Sequence, residues 1–225
     1  AYQLKKRGTE MRRDMEFDVV NTYNKQTTSG ARQTGGYQAF VNSGDTCVFK
    51  GAFTATSTPN VGTSVITVAS GAAKAALALT DIDSVMQKIY ENGGSATRIM
   101  VSPKLRRDFS DLMVSDTGVR RNIDEDGKLR QSVDVYMSDF GDLMVVPNYI
   151  MGLAHTTTDA TTTQFDAADS AALIYDPQWF AMATLRPMQE VEVGQKGDST
   201  VGMFVEEWSF EVKNPKGCGA VYGLE

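Results

Sequence analysis

The stretch from Thr80 to Met113 constrains the fold most, because its hydrophobic period switches from helix to strand and back. Ile82, Val85, Met86, Ile89 and Tyr90 follow the i, i+3, i+4, i+7, i+8 spacing of a helix with one buried face. Thr80-Asp81 reads as its cap, and Asn92-Gly93-Gly94 as its end. Arg98–Ser102 then reads as a short buried strand. Pro103 suits the first turn of a second helix, with Leu105, Phe109, Leu112 and Met113 on one face. Helix, glycine turn, strand and helix in this order predict an α+β fold.

The flanks add different textures. Tyr2 to Tyr23 is charge-dense and free of proline, and Leu4, Met11, Met15, Val19 and Tyr23 make a thin apolar stripe at helical spacing. Lys6–Glu10, Arg12–Glu16 and Arg13–Glu16 are opposite charges three or four apart, each contributing roughly 0.2–0.5 kcal/mol to a helix. Glu10–Asp14 and Asp14–Asp18 oppose them. A helix of this length, roughly 30 Å, with so narrow a stripe is expected to lie along one surface. From Thr27 to Thr67, Gly, Thr, Ser and Val dominate. Gly35-Gly36 and Ser57–Asn60 mark turns, and Thr46–Phe49 and Ser64–Val68 read as strands. Gly71–Leu79 is alanine-rich and is read as the possible start of a helix.

Val133–Met137, the turn Asp139–Asp142 and Leu143–Val146 predict a hairpin closed by Pro147. His155–Gln164 is a threonine-rich loop, whose 156–163 portion is expected to be dispensable. Ala171–Tyr175 reads as a strand, Asp176-Pro177 as a turn, and Trp179–Leu185 as an apolar run broken by Pro187. Val201–Val212 alternates over a long strand, and Gly219–Leu224 forms a last short one. No repeat of 20–50 residues is present.

The chemistry-bearing residues are sparse. The single histidine, His155, rules out a multi-histidine metal site within one chain. It sits beside a threonine tract, and no G-x-S-x-G elbow accompanies it. Cys47 and Cys218 lack a C-x-x-C spacing and read as isolated thiols of a reducing compartment. Asn122-x-Asp124-x-Asp126-Gly127 matches the first half of a calcium loop, but position twelve is Val133, which cannot ligate, so a solvated tip is the reading. Gly194–Gly197 lacks the Gly-Lys-Ser/Thr of a phosphate loop. Glu206-Glu207 sits in a strand, so its carboxylates point to opposite faces, the wrong geometry for a catalytic pair.

No run of about 18 apolar residues exists to span a membrane. With 22 Lys+Arg against 28 Asp+Glu, the net charge of −6 argues against a nucleic-acid groove. The basic run Lys5-Lys6-Arg7 and the pairs Arg106-Arg107 and Arg120-Arg121 therefore read as solvent-facing or paired with acids on a neighbouring chain. No cofactor and no metal are expected, and an empty site search favours a structural or assembly protein over an enzyme.

The order of segments resembles a known family. It runs Glu16-Phe17-Asp18, Gly35-Gly36, then Asp83-x-x-Met86-x-x-Ile89-Tyr90-Glu91-Asn92-Gly93-Gly94 and Val101-Ser102-Pro103. Val135-Tyr136-Met137-Ser138-Asp139-Phe140-Gly141-Asp142-Leu143, Asp176-Pro177 and Leu185-Arg186-Pro187 follow. Gly197-Asp198, Glu206–Val212 and Asn214-Pro215-Lys216-x-x-Gly219 complete it. This order is similar to that of tailed-bacteriophage major capsid proteins and is weakest at about 43–79 and 152–168.

The resemblance implies the tailed-phage major capsid fold, shared with encapsulin shells. It has a long spine helix (1–24), a split peripheral (P) domain sheet (25–79 and 188–225) and a central axial (A) domain (80–187). An N-terminal arm and an extended loop are expected before Ala1. The implied function is a structural subunit that self-assembles through pentamers and hexamers into an icosahedral head enclosing packaged DNA. The alternatives are an encapsulin-like cage and a tail or fibre protein.

The expected partners are copies of itself, portal, scaffolding and decoration proteins, and DNA held without sequence-specific binding, with no membrane. The expected place is the virion, assembled in the host cytoplasm. Subunit contacts are expected at Met11, Arg12, Met15, Glu16 and Val19 on the first helix, and at Arg120 and Arg121 in a loop near the capsomer centre.

Overall fold

A computed structural model describes residues 2–21, 34–51, 53–54, 67–68, 74–116, 134–152, 171–193, 197 and 201–225. Arg120, Arg121, the 122–127 loop and the threonine-rich 155–164 segment lie outside them.

The first element is helix α1, Tyr2–Asn21. A single helical turn, α2 (Tyr37–Phe40), leads to β1 (Cys47–Phe49). The short strands β2 (Phe53–Thr54) and β3 (Thr67–Val68) pair with each other. Then come α3 (Leu79–Glu91), β4 (Arg98–Val101), α4 (Pro103–Asp116), β5 (Val135–Ser138), β6 (Gly141–Pro147) and β7 (Ala171–Tyr175). The chain ends with β8 (Phe180–Val193), β9 (Val201–Val212) and β10 (Gly219–Tyr222).

Six strands form one sheet in the order β1-β10-β7-β4-β6-β5. β1 runs parallel to β10 and β4 parallel to β6, and the other pairs are antiparallel. Strand alternation sorts the side chains between two cores. Ile99, Val101, Leu143, Val145, Ile174 and Val221 face α3 and α4, where Ile82, Val85, Met86, Ile89, Leu105 and Phe109 complete the packing. Leu173, Ala220 and Tyr222 face the other way, against Val20, Tyr37, Val41 and Met151. The central strands are thus covered on both sides, which is why Ala171–Ile174 and Gly219–Tyr222 are buried without a polar face.

Several sequence expectations need correction. Tyr90 is exposed rather than part of the α3 seam. The cap of α3 is Ala78, whose N–H donates to the Asp81 carboxylate at 2.9 Å. Asp81 is therefore the third helical residue, and it also holds Lys50 at 2.6 Å. The described part of the alanine-rich segment is extended, with Ala75 bridging to Leu224.

Pro187 does not end its strand. β8 runs through it, and the pairing register with β9 shifts on both sides of Arg186, so the proline that cannot donate sits at a bulge. β1 and β10 share their sheet with β4–β7, and β8 crosses 187/188 without a break.

The glycine turn after α3 has a specific cause. Gly93 has φ +77°, the left-handed region favoured by glycine. A Cβ on Gly94 would lie 2.7 Å from the Gly217 Cα. The turn thereby lets the end of α3 sit against the Pro215–Gly217 turn.

Candidate assembly surface

Helix α1 is seated against the body at its last turns, at its middle and near its start. Its last turns enter the second core through Val20, whose carbonyl accepts from the Gln38 side-chain amide at 3.1 Å. Asn148 fixes the middle. Its Nδ2 donates to Glu16 Oε1 at 2.9 Å, while its Oδ1 accepts from the Ile150 N–H at 2.8 Å. The Arg13 guanidinium lies 5.9 Å above the Tyr149 ring, a cation–π contact. Nearer the start, Gly8 backs onto the Met188 sulfur of β8.

Of the expected contact residues, Met11, Met15 and Val19 are half-buried, and Arg12 and Glu16 are exposed. Residues four apart share a helix face. Tyr2, Lys5, Lys6, Thr9 and Arg12 lie on one arc of the first three turns, all exposed, and the same arc meets the body further along, at Glu16 and Val20. Glu10 pairs with Arg7 at 2.7 Å rather than with Lys6, and Glu16 turns to Asn148.

The second open element is the β8–β9 ribbon, paired from Phe180↔Val212 to Val193↔Val201. Its base is anchored by aromatic rings. Phe180 stacks on Phe210 at 5.3 Å and 9°, Tyr37 lies 5.3 Å from Phe180, and Phe40 lies 6.3 Å from Phe210. The Thr34 hydroxyl accepts from the Phe210 N–H at 3.1 Å. Beyond this base most of β8 is exposed, and Leu185 keeps 80 % of its surface in solvent.

A two-stranded ribbon of this length is marginal alone in water, so it needs cover along its length. Glu206 and Glu207 point to opposite faces as expected. Glu207 pairs with Arg186 at 3.3 Å, while the Glu206 Oε2 is buried without a hydrogen-bond partner.

The third is the β5–β6 hairpin at the sheet's end. Tyr136, Leu143 and Val145 face the helices, and the Tyr136 hydroxyl donates to Asp83 at 2.7 Å. Val135, Met137 and Met144 emerge on the other face and are exposed.

The interior supports these surfaces without offering chemistry. The Tyr37 hydroxyl lies 2.9 Å from the Ile174 carbonyl and 2.8 Å from the Gly219 carbonyl, and the Tyr222 hydroxyl reaches the Val41 carbonyl at 2.5 Å. These bonds satisfy buried polar atoms that are otherwise costly. Burial pushes both thiols, Cys47 and Cys218, up to about 12, so they stay protonated and unreactive near neutral pH.

Among the described residues no group of three or more His, Cys, Asp or Glu could hold a metal ion. No described helix is long and apolar enough to cross a membrane. A shallow depression of about 390 Å³ lies beside α4, with Leu77, Leu105 and Leu112 below Asp108, Asp111 and Glu225.

Sequence reasoning missed Asn148, although Pro-Asn before an apolar pair is a turn signal.

Comparison with known proteins agrees with this architecture. The family model described as SU10 major capsid protein matches residues 1–225. No curated protein matches the chain. Among solved structures, the holo-SrpI encapsulin complex from Synechococcus elongatus PCC 7942 superposes with a TM-score of 0.59 at 9 % identity, covering 99 % of this chain and 65 % of that one. The capsid of cyanophage P-SCSP1u gives a TM-score of 0.45 at 12 % identity, covering 98 % of this chain and 64 % of that one. The chain thus spans less than two thirds of the length of these solved chains.

Proposed function

The chain belongs to the SU10 major capsid protein family, and from that premise we propose that it is the shell subunit of a tailed-phage head. It closes through pentamers and hexamers into an icosahedral shell around packaged DNA. The family is a structural one rather than an enzyme class. In this reading α1 is the spine helix. The peripheral part is α1 with the β8–β9 ribbon, and the axial part is the six-stranded sheet with α3 and α4.

The observation that carries the reading is the ribbon. Its strands of 14 and 12 residues are held to the body by a cluster of rings at one end, and β8 is mostly exposed beyond it. An element that cannot cover itself is suited to being covered by copies of the same chain.

Portal, scaffolding and decoration proteins are the further partners, the virion is the place of action, and the host cytoplasm is the place of assembly. The net charge of −6 favours a lining that DNA does not adhere to through its phosphates.

The second reading, an encapsulin-like cage, draws on the shared fold. Particle content separates the two. Nuclease-protected DNA inside particles built of this chain supports the phage head. A protein cargo without DNA supports the cage and overturns it.

A further inference from the structure

The two edges of the six-stranded sheet are treated differently. At the β1 edge, the Lys50 N–H donates to the Tyr222 carbonyl. Backbone groups alternate along a strand, so Cys47 points its carbonyl outward. The Lys88 ammonium occupies that carbonyl at 2.9 Å and the Gly44 carbonyl at 3.0 Å. A lysine placed so blunts an edge against further pairing.

The β5 edge has no such cover among the described residues. The Val145 N–H donates to the Asp134 carbonyl, and by alternation Val135 and Met137 direct their backbone groups outward. Their side chains join Met144 on an apolar face, with Met137 75 %, Met144 51 % and Val135 46 % exposed.

Charge restricts what this face can meet. Asp139 and Asp142 are exposed at its turn end. A second β5 paired antiparallel along this edge would bring the Asp139 end of each copy to the Asp134 end of the other. The β8–β9 ribbon carries Glu190, Glu207 and Glu211. Like charges directly opposite are destabilising, so both are poor occupants. A cationic surface with an aromatic contact fits better, and the exposed first three turns of α1 are one: Tyr2, Lys5, Lys6 and Arg12.

We propose that the apolar β5–β6 face, with Asp139 and Asp142 at its rim, is a subunit joint that receives the exposed cationic first turns of α1 from a second copy of the chain. The donor and acceptor surfaces differ, so the contact is head-to-tail and generates rings where the rotation closes. The joint deepens the shell reading and rests on it for the identity of the partner.

The test uses the full chain in three forms. Met137→Asp with Met144→Asp changes only exposed side chains, so the circular dichroism spectrum stays that of the wild type. The concentration needed for assembly rises roughly tenfold or more. Asp139→Lys with Asp142→Lys also blocks assembly, and adding Lys5→Glu, Lys6→Glu and Arg12→Glu to that chain restores it.

Assembly unchanged by the methionine pair overturns the joint and leaves the shell reading standing. A blocked aspartate variant that the reversed helix fails to restore overturns α1 as its occupant. A wild type that forms only small oligomers, lost in the methionine variant and rescued by the charge exchange, keeps the joint and removes the shell.

Discussion

Replacing Asn148 by alanine tests how α1 is held to the body. Asn148 is buried and uses both ends of its amide, one on Glu16 and one on the Ile150 backbone. Removing it leaves the Ile150 N–H buried without its acceptor, at a cost of about 1–3 kcal/mol. Glu16 is exposed, so water replaces its lost bond, and that end adds only about 0.5 kcal/mol.

Asn148→Ala should therefore lower unfolding stability by about 1.5–3.5 kcal/mol, most of it from the Ile150 side. Two further variants separate the ends. Glu16→Gln keeps an acceptor for Asn148 and should change little. Asn148→Asp keeps the Ile150 bond but sets a carboxylate beside Glu16, and should fall between them. The assay is urea unfolding of unassembled protein, isolated by size exclusion and followed by circular dichroism. If Glu16→Ala destabilises as much as Asn148→Ala, the tether is carried by the ion-assisted bond and the reasoning is wrong.

Two other outcomes follow from the same contacts. Met15→Asp with Val19→Asp puts two charges on the half-buried side of α1, and should abolish shells while leaving the sheet's circular dichroism signal; normal shells would falsify the seating of that side. The thiols of Cys47 and Cys218, at 9.0 in an exposed setting, are raised to about 12 by burial. A group raised on folding contributes its full stability below the exposed value and loses it toward the folded one. Stability should accordingly be flat in this respect to pH 9 and decline from there toward 12, read by urea midpoints. Replacing both cysteines by alanine should remove that part of the decline, and an unchanged decline would place its origin elsewhere.

The sequence was legible wherever one face of an element is buried. The α3 seam Ile82, Val85, Met86 and Ile89 lies in the first core. The hairpin at Asp139-Phe140 and the strand Val201–Val212 appear where alternation put them. It was less legible where tertiary context decides. Tyr90 extends the α3 pattern yet leans on Phe140 at 5.8 Å from outside the core. Pro187 lies inside a strand because a bulge absorbs its missing N–H.

The sheet order left no local trace: β10, last in the chain, inserts between β1 and β7, and no local pattern records a pairing that distant. On α1 the sequence shows residues at helical spacing on more than one side, and which of them meet the body is decided by tertiary partners such as Met188 and Asn148 that no local pattern records.

Electron microscopy of the purified full-length protein tests the central claim most directly. The account predicts closed icosahedral particles with α1 and the β8–β9 ribbon at the boundaries between subunits. Trimers, open tubes or a stable monomer, with the ribbon free in solvent, would contradict it.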